Sequence, residues 1–249
     1  MMNQVPERGD DSKNLPDQRR TALEALQRWS AFPVGASPRP VVLVGPTVIP
    51  GQGFEDGESK LAFERGDIEP AEGVPREPYE LLRESSGERS ASRRGRVLAL
   101  RSAILGEAEF MTDRGKRALP AWILDVEGAL GPVAVLTRSA RHDCWEPSWE
   151  VPLPSRGPHQ FALPSSVSGD GMNLTFRFTS WPRSLAAYES ANAFESDCAV
   201  AVVPIERWIG PRTGWVTLAA AQRAVDVRLA RPLGGRVLVD LDGRAVPVY

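Results

Sequence analysis

From Leu174 onward, hydrophobic residues recur at every second position. Leu174, Phe176 and Phe178 alternate with Thr175, Arg177 and Thr179, and Val225, Val227 and Leu229 alternate with Asp226 and Arg228. Successive side chains of an extended chain point to opposite faces, so this spacing makes one apolar face and one wet face. A helix would scatter the same residues around its circumference. Ala199 to Val203 is uninterrupted by polar residues and predicts a central strand. Gly234-Gly235 turns the chain into Arg236–Leu241, and Asp242-Gly243 turns it again into Arg244–Val248. Asp-Gly between apolar runs signals a hairpin, because both turn positions favour positive φ. Residues 225–248 therefore predict a three-stranded meander. Pro247 cannot donate to a ladder, which puts the last strand at an edge.

The upstream sequence extends the pattern. Val97–Leu105, Ala118–Val126 and Pro132–Leu136 are apolar runs between charged or glycine-containing turns, as in an antiparallel meander. Val41–Val44 reads as a buried strand and Lys60–Phe63 as a weaker one. Two short helices are expected. One opens at Pro16-Asp17, carries a stripe of Ala22, Leu23, Leu26 and Trp29, and stops at Phe32-Pro33; the other spans Val74–Arg83. The predicted fold is mainly β, an antiparallel β-sandwich or barrel with two short peripheral helices. Residues 1–13 are polar and predict a disordered tail. Residues 14–249 predict a single β-rich domain, with a flexible Ser/Arg-rich loop at 83–96 and a long Pro-rich loop at 138–172.

Composition narrows the function classes. At 249 residues, 42% hydrophobic and 25% charged, the chain needs neither disulfide nor metal to form a core. A net charge of −2 selects neither nucleic acid nor an anionic membrane. The chain has 27 Arg against three Lys, which with 22 Gly and 22 Pro reads as GC-rich coding rather than as a mechanism. The arginines of 83–101 lack interleaved aromatics and predict a solvated linker. Cys144 and Cys198 cannot build a disulfide framework and read as two separate thiols. The N-terminus lacks the apolar run of a secretory signal, and no window matches a membrane span of about 18 apolar residues, so a cytoplasmic protein is expected. The glycines at 51, 53 and 57 lack the Lys-Ser/Thr of a phosphate loop, and no strong catalytic signature occurs.

His142-Asp143-Cys144-Trp145-Glu146 is the densest group of reactive residue types. On an extended segment His142, Cys144 and Glu146 share a face, and a histidine beside a thiol can activate it. The competing reading is a surface loop with an incidental thiol. Structural zinc needs paired ligands on both sides of the site, and only His-x-Cys is spaced for it, so no metal and no cofactor is expected. Trp145 and Trp149 beside Asp143 suit a small organic ligand or a partner surface, the rings giving area and the acid orientation. The alternative is that the tryptophans anchor the loop to the sheet beneath.

The tail Val227-Arg-Leu-Ala-Arg-Pro-Leu-Gly-Gly-Arg-Val-Leu-Val-Asp-Leu-Asp-Gly-Arg244 resembles a recurring C-terminal strand–turn–strand pattern of an uncharacterised actinobacterial protein family. Arg39–Val44, Gly106–Phe110 and Leu119–Trp122 are similar to the same set, and together these stretches cover less than half the chain. The resemblance implies a bacterial source and no activity. Members of that set often look exported or lipid-anchored, and this N-terminus departs from that. The residues favour a non-catalytic binding or interaction module whose partner is an unknown protein or small molecule, not nucleic acid. An enzyme with a small-molecule site at 138–172, or a structural subunit of a larger assembly, are the alternatives left open.

Overall fold

A computed structural model describes residues 2–4, 15–86, 95–145, 161–211, 215–217 and 220–249. Among the described residues the chain is mainly β, and no helix is long and apolar enough to cross a membrane. The expectation of one domain over 14–249 meets a chain that divides into two compact units. The first takes residues 1–44, 113–115 and 145–249; the second takes 45–112 and 116–144. Of the loop expected at 83–96, the boundary suggested by composition, residues 83–86 are helical and lie inside the second unit, and residues 87–94 fall outside the described residues.

The first unit is layered around one strand. Helix α1 (Leu15–Arg28) packs Ala22, Ala25 and Leu26 against a sheet, together with Trp29 just beyond its end. These positions follow the three-and-four spacing of one helix face. Leu23, expected on that stripe, is about half exposed at 49%. The sheet has the order β13 (Val237–Val239), β10 (Ala199–Trp208), β9 (Ala186–Glu195). Ala199, Ala201 and Val203 of β10 face α1, and Val200 and Val202 face the other way. There they meet Leu174, Phe176, Phe178 and Val225 of a second sheet, ordered β12 (Ala221–Arg228), β8 (Asn173–Ser180), β7 (Phe161–Val167). The expected alternation of β8 is present, with Leu174, Phe176 and Phe178 buried. The two sheets make a sandwich. Its β13 and β7 edges are joined by the C-terminal segment, through antiparallel Val239–Ala245 and parallel Ser165–Val248 bridges.

Three expectations are corrected in this unit. Residues 225–248 are not a meander: β12 pairs antiparallel with β8, and β13 pairs parallel with β10 in the other sheet. The Asp-Gly hairpin does form, as a loop in which Gly243 alone supplies the left-handed conformation (φ 79°) and its N–H bonds to the Asp240 carbonyl at 3.0 Å. Residues 161–167, expected within the Pro-rich loop, form β7. Met2–Gln4, expected in the disordered tail, form β1, antiparallel to β11 (Trp215–Thr217).

The second unit is a five-stranded sheet, β2 (Val48–Pro50), β6 (Val133–Leu136), β5 (Gly115–Val126), β4 (Leu98–Thr112), β3 (Ile68–Pro70). The β3–β4 pairing is parallel and the β2–β6 and β5–β6 pairings are antiparallel. Helices α2 (Gly57–Arg65) and α3 (Arg76–Ser86) cover one face, with Ala62, Phe63, Leu81 and Leu82 on Leu98, Leu100, Leu124 and Val135. Lys60–Phe63 is helix rather than strand because its ends are fixed by caps. The Asp56 carboxylate accepts from the Ser59 N–H, and Gly66 (φ 74°) and Asp67 donate back to Phe63 and Ala62. Val41–Val44 forms no regular strand; the carbonyls of Val41 and Val42 accept from the N–H groups of Trp145 and Asp113. Residues 138–143, expected as loop, are helix α4 (Arg138–Asp143), capped by Thr137.

Ala201 lies fully buried between β10 and α1, so Ala201→Leu is expected to destabilise the chain by roughly 1–3 kcal/mol through overpacking. Ile205→Ala, on the same strand at 36% exposure, is expected to cost less. Denaturant midpoints of the two variants check the order.

Candidate functional site

The residues singled out by sequence are separated by their local geometry. α4 replaces the extended segment that would have aligned them: His142 and Asp143 are exposed at its end, while Cys144 is buried beyond it in extended conformation. Consecutive helical positions do not share a face two residues apart, so the imidazole and the thiol diverge. Cys144 and Cys198 are not in disulfides. Glu146 and Trp149 lie outside the described residues. Trp145 belongs to an aromatic cluster, its ring 4.8 Å from Trp29 and 5.1 Å from Phe32. Trp29 donates to the Gly243 carbonyl at 2.8 Å. Trp145 thus anchors its segment to the core, the alternative reading of that residue. Among the described residues, no three His, Cys, Asp or Glu gather in a group able to hold a metal.

A different cluster stands out at one end of the sandwich. The inward phase of β8 runs Leu174, Phe176, Phe178 and then reaches Ser180; that of β12 runs back from Val225 to Arg223. On β9 and β10 a β-bulge at Ile205/Glu206 places Tyr188 directly opposite Glu206. Bulges re-aim side chains in this way, often beside sites. Ser180 hydrogen-bonds the Tyr188 hydroxyl, which donates to Glu206 Oε2 at 2.6 Å. Tyr188 packs edge-on to Phe178 at 5.1 Å, and Trp181 packs edge-on to Trp208 at 5.6 Å.

Arg223 completes the group. Its Nη2 donates to the backbone carbonyls of Trp181 at 2.7 Å and Ala186 at 3.0 Å, and the guanidinium lies 5.7 Å from the Tyr188 ring centre. Its Nε is buried without an acceptor among the described residues, and the side chain makes no ion pair with them. Burial lowers its pKa, and the charge of Arg183 lowers it further. An arginine nonetheless keeps its charge in a protein. The other desolvated cations of this unit have carboxylates: Arg39 forks onto Asp113, and Arg236 meets Glu195 at 2.7 Å. Among the described residues, the hydrogen-bond partners of Arg223 are carbonyls. Sequence reasoning passed over this site, although an arginine in the apolar phase of a strand was visible at position 223.

One carboxyl elsewhere, that of Asp240, has a raised pKa. Burial pushes Asp240 up to about 6, against the hydrogen bond it accepts from the Arg244 N–H and with the charge of Asp242. A carboxyl raised on folding binds its proton more tightly in the folded state. Its contribution is therefore greatest below the unfolded pKa and declines as pH rises toward about 6. Asp240→Asn is expected to abolish that decline and to be more stable at pH 7 by roughly 1–2 kcal/mol. Thermal melts of both proteins between acid and neutral pH check the sign.

Comparison with protein-family models, with curated proteins and with solved structures finds no match, so the chemistry of the site is read from its own residues.

Proposed function

We propose that the chain is a non-catalytic binding module whose ligand is a small organic anion, held at the Arg223 end of the sandwich. The observation that carries this reading is a partly buried arginine whose buried Nε has no acceptor among the described residues. A buried donor left without an acceptor costs about 1–3 kcal/mol, and such orphans in a folded protein call for an explanation. A bound carboxylate supplies both the missing charge and an acceptor, and the second cation, Arg183, strengthens the local positive potential. The Ser180–Tyr188–Glu206 chain adds polar atoms that discriminate among anions, while Trp181 and Trp208 give the apolar surround usual for small-molecule sites. The Ser180–Tyr188 and Tyr188–Glu206 bonds support fixed geometry more than a freed base. The unbridged thiols Cys144 and Cys198 support a cytoplasmic setting, and Arg96, engaged with Glu127, Ser59 and Asp56, supports a partner other than nucleic acid.

Calorimetric titration with acetate, benzoate and inorganic phosphate tests the proposal. A carboxylate is expected to bind the unaltered chain, with at least tenfold weaker binding in Arg223→Gln and a smaller loss in Tyr188→Phe. Absence of binding by all three anions, or affinity unchanged in Arg223→Gln, overturns it.

A further inference from the structure

Among the described residues, the second unit has one long strand edge with no strand beside most of it. β4 pairs with β5 along one side, but on the other side β3 covers only Leu98–Leu100. From Arg101 to Phe110 that edge has no strand beside it among the described residues. At its middle stand two large aliphatic side chains, Ile104 at 65% and Leu105 at 66% exposure. They are adjacent in sequence, so they project to opposite faces, and both faces are apolar at the same point. Folded proteins usually blunt such edges with lysine, proline or a bulge, because a row of unpaired backbone groups recruits another strand. The middle of this edge carries none of those residues: Ser102, Ala103, Ile104, Leu105, Gly106, Glu107 and Ala108.

We infer that this edge pairs with the same edge of a second copy of the chain, antiparallel and centred on Leu105, joining two five-stranded sheets into one. The edge is self-complementary, which favours a second copy as its occupant. In that register Leu105 meets its own symmetry mate, Ile104 falls opposite Gly106, and Arg101 falls opposite Glu109, twice over by the two-fold. Large meets small, apolar meets apolar, and cation meets anion. A shift of the centre to Ile104 still sets Arg101 opposite an acid, Glu107. Directly opposed pairs of these kinds are what stabilise antiparallel sheets, and like charges in the same places oppose pairing. The site lies wholly within the second unit and is independent of Arg223.

Sedimentation velocity and light scattering on the full chain, over a dilution series, test the inference. The unaltered chain is expected to be a dimer that dissociates on dilution. Leu105→Lys is expected to weaken association at least tenfold, without loss of the circular dichroism signal, because the side chain it replaces is exposed. Glu109→Arg is expected to weaken association, and the exchanged pair Arg101→Glu with Glu109→Arg to restore it. A chain monomeric at every concentration overturns the inference. So does a dimer indifferent to Leu105→Lys, or a charge exchange that fails to recover association.

Discussion

β10 has no face turned to water over Ala199–Val203, and the first unit is organised by that fact. Its two alanines, on the α1 side, leave room for the bulk of Trp29 and Phe32, while its valines fill the space between the sheets. A strand buried twice must have neighbours on both edges and a layer on each side. β9 and β13 supply the edges, and α1 and the β12–β8–β7 sheet supply the layers. Polar chemistry is thereby excluded from the middle of β10. It is confined to the end, where the bulge frees Glu206 to reach Tyr188.

The arginine excess, which composition alone attributes to coding bias, has a structural use. Arg39 donates through Nε to the Gly235 carbonyl at 2.7 Å while its other nitrogens fork onto Asp113. Arg114 donates to the carbonyls of Gly234 and Arg236, each at 2.6 Å. Arg236 reaches the Arg231 and Pro232 carbonyls as well as Glu195. Burial opposes the charge of Glu195, yet the Ala230 N–H and Arg236 together hold its carboxyl below the usual range. The Gly234-Gly235 turn presents carbonyls that accept from arginines, and a planar fork serves a carboxylate and a carbonyl at once. A lysine at any of these places has one point of charge for two or three jobs. Ion pairs of this kind are weak evidence of net stability, but breaking one leaves a buried charge uncompensated.

What sequence made legible follows from what a two-residue rhythm can encode. The rhythm specifies which side of a strand is apolar, and Leu174–Phe178, Ala199–Val203 and Val225–Leu229 are strands as expected. It does not specify which strand lies next door. Nothing in Arg236–Leu241 distinguishes an antiparallel partner at β12 from the parallel one it takes at β10, so the meander was the local and mistaken solution. Lys60–Phe63 was misread for a related reason: four residues carry too little period, and the information sat in the caps at Asp56 and Gly66. His142 and Cys144 were grouped by proximity in sequence, which a single helical turn undoes.

The same rhythm, followed past the point where it stops being apolar, leads to Arg223. Along β8 and β12 the inward positions are hydrophobic until Ser180 and Arg223. A chain selected only for packing has no reason to put a serine, a tyrosine, a glutamate and an arginine together where those strands end. Breaks of local rule that persist in a fold concentrate at functional or strained sites. The aromatic cluster around Trp145 obeys the rule, since its rings pack tilted and edge-on and the Trp29 indole N–H is bonded; the Arg223 cluster breaks it and leaves a buried donor without an acceptor among the described residues. Two backbone carbonyls already fix the plane of that guanidinium. On the reading proposed above, the entropy of ordering it is lost in folding rather than in association.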